Sequence, residues 1–407
     1  MVVIAGNSPK AMRILTFTSL FPNAMNPDFG IFIFNRTSHL AKREGNVVEV
    51  VAPVPYVPNF LKWTAHGSVA SIPPTEQIGN LQVHHPRYLL APKVSMPLHG
   101  LLMYAGCLRY VQGLHQKRRF DCIDAHYVFP DGLAAVLIGR SLGIPVVVSA
   151  RGTDIHTFQG FTTVRPQIRW ALRHAAGVIA VSDSLRRIML EIEPTLNAIE
   201  VIGNGVDGQR FFPENQRIAR EKLGLNSQDR IIISVAALKH VKGPDLLVRA
   251  AALLKKSFVR CRVMFVGAGP ELGSLQQLAE QLDCADICQF VGPVPNDQLR
   301  TYFSAADVSC LASRKEGWPN VILESLASGT PVVATGVGAV PQLLADPELG
   351  AIVDPTPAAI HAGLSRALQQ EWNPETLSAY AQGHTWENVA ARVEAVLKLA
   401  TGQLPGH

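Results

Sequence analysis

Ser313-Arg314-Lys315-Glu316-Gly317-Trp318-Pro319-Asn320-Val321-Ile322-Leu323-Glu324 stands between two short apolar runs, Val308 to Leu311 and Pro331 to Ala334. The runs read as strands and the segment between them as a loop that opens a helix, because Pro319 suits a first helical turn and Gly329 suits a helix end. Strands that are apolar throughout are covered on both faces. A strand, a helix and a further strand in succession therefore predict a parallel sheet.

The same alternation runs outward through the 407 residues. Met12 to Phe17, Val47 to Ala52, Cys122 to Ala125, Pro145 to Ser149, Val178 to Val181 and Glu200 to Ile202 read as strands with helical patterns between them. Asn204-Gly205-Val206-Asp207 and the polar stretch Gly208 to Asp229 then interrupt the pattern, and a second series begins with Ile231 to Ala236, Arg262 to Val266 and Ile287 to Val291. A boundary after Asp207 gives two domains, 1–207 and 208–385. The expected fold is α/β, with two Rossmann-like doubly wound domains facing a cleft. Met1 to Ala11 reads as an extension ahead of the first strand.

Composition narrows the class. With 47% hydrophobic and 17% charged residues the chain is neither disordered nor fibrous. A net charge of +5 is too mild for a dedicated nucleic-acid binder. Up to Asp207 there are 19 basic and 13 acidic residues, against 18 and 19 afterwards, which suggests either an anionic partner at the first domain, a phosphorylated acceptor or a membrane surface, or the few surplus charges a random surface gives. The six cysteines include no Cys-x-x-Cys pair, and Cys284 and Cys288 have no histidine nearby for a metal site. Reduced, buried cysteines and a cytoplasmic location are expected. No apolar run is long enough for a spanning helix, and Met1 to Ala11 lacks the basic start and apolar core of a signal peptide.

In doubly wound folds ligands bind where strand ends lead into helix N-termini. Val266-Gly267-Ala268-Gly269-Pro270-Glu271 has such a place, but Leu272 stands where a dinucleotide fingerprint needs its third glycine. This argues against a dehydrogenase and leaves a phosphate loop or a plain tight turn. The stretch 313–324 says more. Gly317 lets backbone amides approach a phosphate, and Glu316 before the turn and Glu324 within the helix can each accept bonds from sugar hydroxyls. The combination fits a nucleotide sugar; the alternative is two solvated charges. His126, at the end of a strand and ahead of the loop Tyr127 to Gly132, reads either as a cleft-facing group or as a satisfied core histidine.

The stretch 313–324, continued by Ser325-Leu326-Ala327-Ser328-Gly329-Thr330-Pro331-Val332-Val333, resembles the paired-glutamate signature of retaining, nucleotide-sugar-dependent glycosyltransferases of family 4, which have the GT-B fold. Other segments match in order. Phe29-Gly30-Ile31-Phe32 resembles the N-terminal glycine loop, Asp124-Ala125-His126-Tyr127 the catalytic-histidine segment and Arg151-Gly152-Thr153-Asp154 the loop after it. Asn204-Gly205-Val206-Asp207 resembles the interdomain segment, Lys242-Gly243 the donor-phosphate lysine motif, and Trp386 to Leu399 the closing helix, so that 386–407 is expected to cross back to the first domain. Ser19-Leu20-Phe21-Pro22 and Tyr127-Val128-Phe129-Pro130-Asp131-Gly132 resemble bacterial surface-polysaccharide enzymes.

The resemblance implies an acceptor-binding first domain and a nucleotide-sugar-binding second one. It implies that Lys242 pairs with the donor diphosphate, aided by amides around Trp318, Asn320 and Val321, and that Glu324 holds the ribose. Glu316 would bind the transferred sugar, Gly30 would let its loop close over the diphosphate, and His126 would orient donor sugar and acceptor. His126, Glu316 and Lys242 are thus the expected catalytic group. It further implies a glycan or lipid-linked acceptor at the cytoplasmic membrane face, in surface-polysaccharide synthesis. The transfer it implies is front-face and retaining, with no cofactor beyond the nucleoside-diphosphate sugar as co-substrate and no metal, in keeping with the lack of any Asp-x-Asp. One position departs: Ala237 stands where the family usually has Arg or Asn, so Lys239 or an arginine of the first domain is expected to supply that donor.

Three features stay open at this level. Arg151 and Asp154 are acceptor-side candidates or a salt bridge that shapes its loop. Leu98, Leu101, Leu102, Tyr104 and Leu108 with Lys117, Arg118 and Arg119 are an edge resting on anionic lipid or, the preferred reading, a core-facing helix with cations at its C-terminal end. A nucleotide-sugar epimerase of the same architecture, or a catalytically inactive sugar-nucleotide-binding protein, would carry many of the same motifs.

Overall fold

The computed structural model of the chain describes residues 11–57, 67–90 and 96–403. It divides into two compact units, Met1–Asn204 with Trp386–His407, and Gly205–Thr385. The division falls three residues before the boundary expected at Asp207, because Val206 already bridges to Thr385 and packs in the core of the second unit. All of the proposed extension except Ala11 lies outside the described residues.

Unit 1 is built on an eight-stranded sheet. Its strands in chain order are β1 (Met12–Phe17), β2 (Asn46–Val51), β3 (Thr75–Ile78), β4 (Leu81–His84), β5 (Cys122–His126), β6 (Val146–Ala150), β7 (Gly177–Ala180) and β8 (Glu200–Val201). They lie in the order β8-β7-β6-β5-β1-β2-β4-β3, parallel except for the antiparallel pair β3 and β4. That hairpin was not read from the sequence. Its outer strand alternates exposed and half-buried residues, Thr75-Glu76-Gln77-Ile78, and so lacks the continuous apolar signal of the inner strands. The helix Trp386–Ala400 buries Trp386, Ala390, Val393 and Leu397 against Ile14, Leu40, Val48 and Val147, and Arg43 donates to Glu394 at 2.7 Å. The last helix of the chain is thus part of the first unit's core.

Unit 2 has a six-stranded, wholly parallel sheet: β9 (Arg230–Val235), β10 (Cys261–Val266), β11 (Cys288–Gly292), β12 (Val308–Leu311), β13 (Val332–Thr335) and β14 (Gly350–Val353), in the order β11-β10-β9-β12-β13-β14. Ile231 and Ile233 belong to one buried cluster and Ile232 to the other, on opposite sides of the sheet. This two-sided burial is why the strand reads as an unbroken apolar run. The edge strand β14, only partly buried, escaped the sequence reading for the converse reason.

The strand order fixes where a ligand site can be. In unit 1 the chain winds from β1 toward β2 and later from β1's other side through β5, so the switch point lies between β1 and β5. In unit 2 it lies between β9 and β12. Lys242 follows β9, Glu316 follows β12, and His126 ends β5. Among the described residues no helix is long and apolar enough to cross a membrane. The helix His99–Arg118 buries Met103, Cys107 and Val111, as a core-facing helix does, while Leu98 and Leu101 stay exposed, Leu102, Tyr104 and Leu108 are half-buried, and Arg118 pairs with Glu49. All six cysteines are buried and unbridged.

Candidate functional site

At the unit 2 switch point two loops are pressed together. Gly243 adopts φ +63°, and a Cβ there would lie 2.0 Å from the carbonyl oxygen of Ala312. Only glycine permits both the left-handed backbone and this approach. Arg314 completes the join: its amide donates to Val241 at 2.8 Å, its guanidinium to the His240 carbonyl at 2.8 Å, and both terminal nitrogens to Asp245, each at 2.7 Å. Arg314 is thereby committed to the protein. Ala237 and Lys239 are exposed on the loop after β9.

The join brings Lys242 to Glu316. Lys242 Nζ donates to the two carboxylate oxygens at 2.7 and 2.9 Å, and Ser313 Oγ donates to Oε1 at 2.6 Å. The lysine side chain is 31% exposed and the glutamate 6%. Pro319 caps the helix Asn320–Ala327 from just outside it, one residue earlier in role than the sequence suggests. The first turn of that helix carries no acidic residue and no side-chain cap, which leaves the positive dipole end uncompensated beside Gly317 and Trp318. Trp318 and Val321 pack partly buried on the unit 2 core, the indole N–H without a hydrogen-bond partner.

Glu324 is half-buried in the same helix. Burial pushes its carboxyl up to about 7, and Arg210 offsets only part of that. Arg210 itself donates to Asn296 Oδ1 at 3.1 Å. In the Gly267 loop Gly267 donates to Gly292 at 2.8 Å and Leu238 donates to Ala268 at 3.0 Å, and the helix Leu272–Gln281 starts only after Glu271, so Pro270 lies in the turn ahead of it.

The unit 1 switch point is a buried chain of charges. Arg36 donates to Asp124 Oδ1 at 2.9 Å and to Ser149 Oγ at 3.0 Å. His126 Nε2 lies 3.2 Å from Asp124 Oδ2, and Arg151 Nε donates to His126 Nδ1 at 3.2 Å, which places the imidazole proton on Nε2. Arg151 also donates to Asn204 Oδ1 at 3.0 Å and lies over the Phe32 ring. Burial drives His126 down to about 3, Arg151 and Arg36 pushing the same way against Asp124, so the ring is neutral at ordinary pH. Burial pushes Asp124 up, but Arg36, His126 and Arg151 outweigh it and hold the carboxyl below the usual range.

His126 is completely buried, not open at the strand end as its position suggested, while Arg151 keeps a small exposed surface. Asp154 makes no salt bridge to Arg151. Its carboxylate accepts from the amides of Val128 (2.8 Å), Arg151 (3.0 Å) and Gly152 (2.7 Å), so it shapes the loop through the backbone. Gly30, φ +68°, ends the loop that begins after β1, and its Cα hydrogen face lies against the Leu20 carbonyl, where a Cβ would come within 2.4 Å.

Residues 215–384 match the family described as Glycosyl transferases group 1, and residues 31–210 match Glycosyltransferase Family 4. The D-inositol 3-phosphate glycosyltransferase of Thermomonospora curvata is 30% identical over 331 residues, 73% of this chain and 75% of that protein. The chain belongs to the family 4 glycosyltransferases. The glycosyltransferase TuaC of Bacillus subtilis (strain 168), whose name assigns it to teichuronic acid biosynthesis, is 28% identical over 94% of this chain and 95% of its own length. The GT-B fold is shared with sucrose-phosphate synthase of Thermosynechococcus elongatus, TM-score 0.76 at 19% identity over 97% of this chain and all of that one. Anabaena HepE in complex with UDP gives a TM-score of 0.71 at 18% identity over 95% of this chain and 100% of that one.

Several residues that organise the site in this glycosyltransferase carried no assigned role in the sequence reading. Asp131 is fully buried and accepts from Ser19 N at 2.6 Å and Ser19 Oγ at 2.9 Å, pinning the loop after β1; burial raises its carboxyl to about 7. Arg36, Asp124, Ser313, Asp245 and Arg314 are the others. An acid inside a motif is visible in sequence, but its partner lies 88 residues from it for Asp124 and 112 for Asp131.

Two outcomes are expected. His126→Ala leaves Asp124 and Arg151 each short of a buried partner, so the unfolding free energy measured in urea should fall by about 1–3 kcal/mol; an unchanged value would mean that the ring is not part of the network. Gly243→Ala should cost more than the roughly 1–3 kcal/mol of a strained left-handed residue alone, since the Ala312 carbonyl must also move. A urea midpoint equal to wild type would contradict the close approach of the two loops.

Proposed function

We propose that this glycosyltransferase moves a sugar from a nucleoside-diphosphate sugar to a glycan or lipid-linked acceptor, with retention of anomeric configuration and without a metal ion. The observation that carries the reading is the convergence of Lys242, Glu316 and the uncompensated end of the helix Asn320–Ala327 at the unit 2 switch point. A cation and a helix dipole at one place suit a diphosphate, and they stabilise the charge that develops on it as the sugar leaves. Glu316 would then accept from hydroxyls of the transferred sugar and Glu324 from the ribose. Gly317, Trp318, Asn320 and Val321 line the donor's path in this assignment.

On unit 1 the neutral His126 serves the acceptor by fixing Arg151, the member of the chain with exposed surface. Family membership supports retention by the front-face route, in which no protein carboxylate attacks the sugar. The name of TuaC supports an acceptor of the surface-polysaccharide kind, and the UDP held by HepE makes UDP a sensible probe of the donor site. Work on such acceptors would be done from the cytoplasm at the inner face of the membrane.

The decisive test is donor binding and turnover in Lys242→Ala. Loss of a charge-assisted contact of about 1.5–3 kcal/mol should weaken UDP, or whichever of UDP, GDP and ADP the wild type binds, by roughly ten- to a hundredfold. Unchanged affinity in the folded variant would remove the donor site from unit 2. Wild-type transfer should continue in excess chelator, and abolition by chelator with rescue by magnesium or manganese would overturn metal independence.

Glu324 adds a pH signature. A hydroxyl bonds more strongly to the ionised carboxylate, so donor binding lowers the carboxyl from its value of about 7, and affinity must fall as pH drops below 7 while staying level above it. Measured with a UDP-sugar, whose diphosphate does not titrate in this range, the decline should approach roughly tenfold per pH unit and vanish in Glu324→Gln. A flat wild-type profile between pH 5.5 and 8, taken at about unit intervals, would mean that the Glu324 carboxyl is not raised into this range before the donor binds.

A further inference from the structure

Lys242 and Glu316 are bonded to each other, not merely near. Both carboxylate oxygens accept from Nζ, and Ser313 Oγ fixes one of them. The two partners are unequally placed. Lys242 retains enough exposure to exchange its partner, whereas Glu316 is held in a buried position behind Gly317. A diphosphate that takes Lys242 competes with Glu316 for the same ammonium and draws its charge away from the carboxylate, and the consequence for Glu316 depends on what the ligand carries next to its phosphates.

We propose that the Lys242–Glu316 pair ranks the sugar nucleotide above the bare nucleoside diphosphate. The inference rests on the reading of unit 2 as the donor site. A nucleoside-diphosphate sugar replaces both halves of the pair: its diphosphate meets Lys242 and its sugar hydroxyls meet Glu316. A nucleoside diphosphate replaces only one half and strands a buried carboxylate without its counter-charge, which is the costly way to break an ion pair. The same side chain thus favours binding of the donor and expulsion of the product that remains after the sugar has left. Arg314, on the facing loop, cannot take over from Lys242, because Asp245 holds both of its terminal nitrogens.

The sign of the effect separates this role from a structural one. Glu316→Gln keeps the shape and an oxygen for Ser313 Oγ but frees Lys242 of its competitor. It should bind UDP roughly three- to tenfold more tightly than wild type, while its preference for the best-bound of UDP-glucose, UDP-galactose and UDP-N-acetylglucosamine over UDP collapses. Glu316→Ala, read the same way, decides the matter if the glutamine variant fails to give a native melt. Calorimetric titrations of wild type, Lys242→Ala and the Glu316 variant, with GDP and ADP series run alongside, distinguish the outcomes. Weakened binding in Lys242→Ala with tightened nucleoside-diphosphate binding in the Glu316 variant supports the proposal. Weakened binding in Lys242→Ala with equal or weaker binding in the Glu316 variant overturns it and leaves the donor site standing. Unchanged binding in Lys242→Ala, or no wild-type binding of any of the three nucleoside diphosphates, overturns the donor site and the proposal together.

Discussion

The backbone of Gly243 lies against the carbonyl of Ala312, and the chemistry of unit 2 depends on that approach. Two loops that leave adjacent parallel strands normally diverge, because each must lead into a helix on its own face of the sheet. Here a residue without a side chain, in a conformation other residues resist, lets them touch. Arg314 then fastens one loop to the first turn of the other's helix through Asp245. With the loops joined, a lysine and a glutamate that are 74 residues apart in sequence become an ion pair. The site is therefore held by backbone geometry first and by charge second.

Unit 1 solves a different problem. It buries Arg36, Asp124, His126 and Arg151 at the end of its central strands, where isolated charges would be costly. Each group is compensated by the next: Arg36 by Asp124, Asp124 also by His126, and His126 by the guanidinium of Arg151. In such a chain the imidazole is neutral and fixed in one tautomer, which suits orientation better than proton transfer. The backbone amides around Asp154 and the Ser19 contacts of Asp131 do for the neighbouring loops what this chain does for the strand ends. Local rigidity at the switch points is thus obtained from buried carboxylates in unit 1 and from a glycine contact in unit 2.

The sequence by itself determined the α/β class, the two parallel sheets and most of their strands, since strands buried on both faces must be apolar at every position. It also placed Lys242, Glu316, Glu324 and His126 at strand ends or in the loops and helices that follow them, the positions from which a doubly wound fold binds ligands. The outer hairpin strand Thr75–Ile78 and the edge strand Gly350–Val353 were illegible, because both are at most half-buried and lose the continuous apolar pattern that marks inner strands. Only the tertiary structure decided that His126 is sealed between Asp124 and Arg151 and that Lys242 is bonded to Glu316. Arg151 and His126 are 25 residues apart and Lys242 and Glu316 are 74 apart, and in such pairs sequence supplies the chemical types while packing alone supplies the distance on which a hydrogen bond or a charge interaction depends.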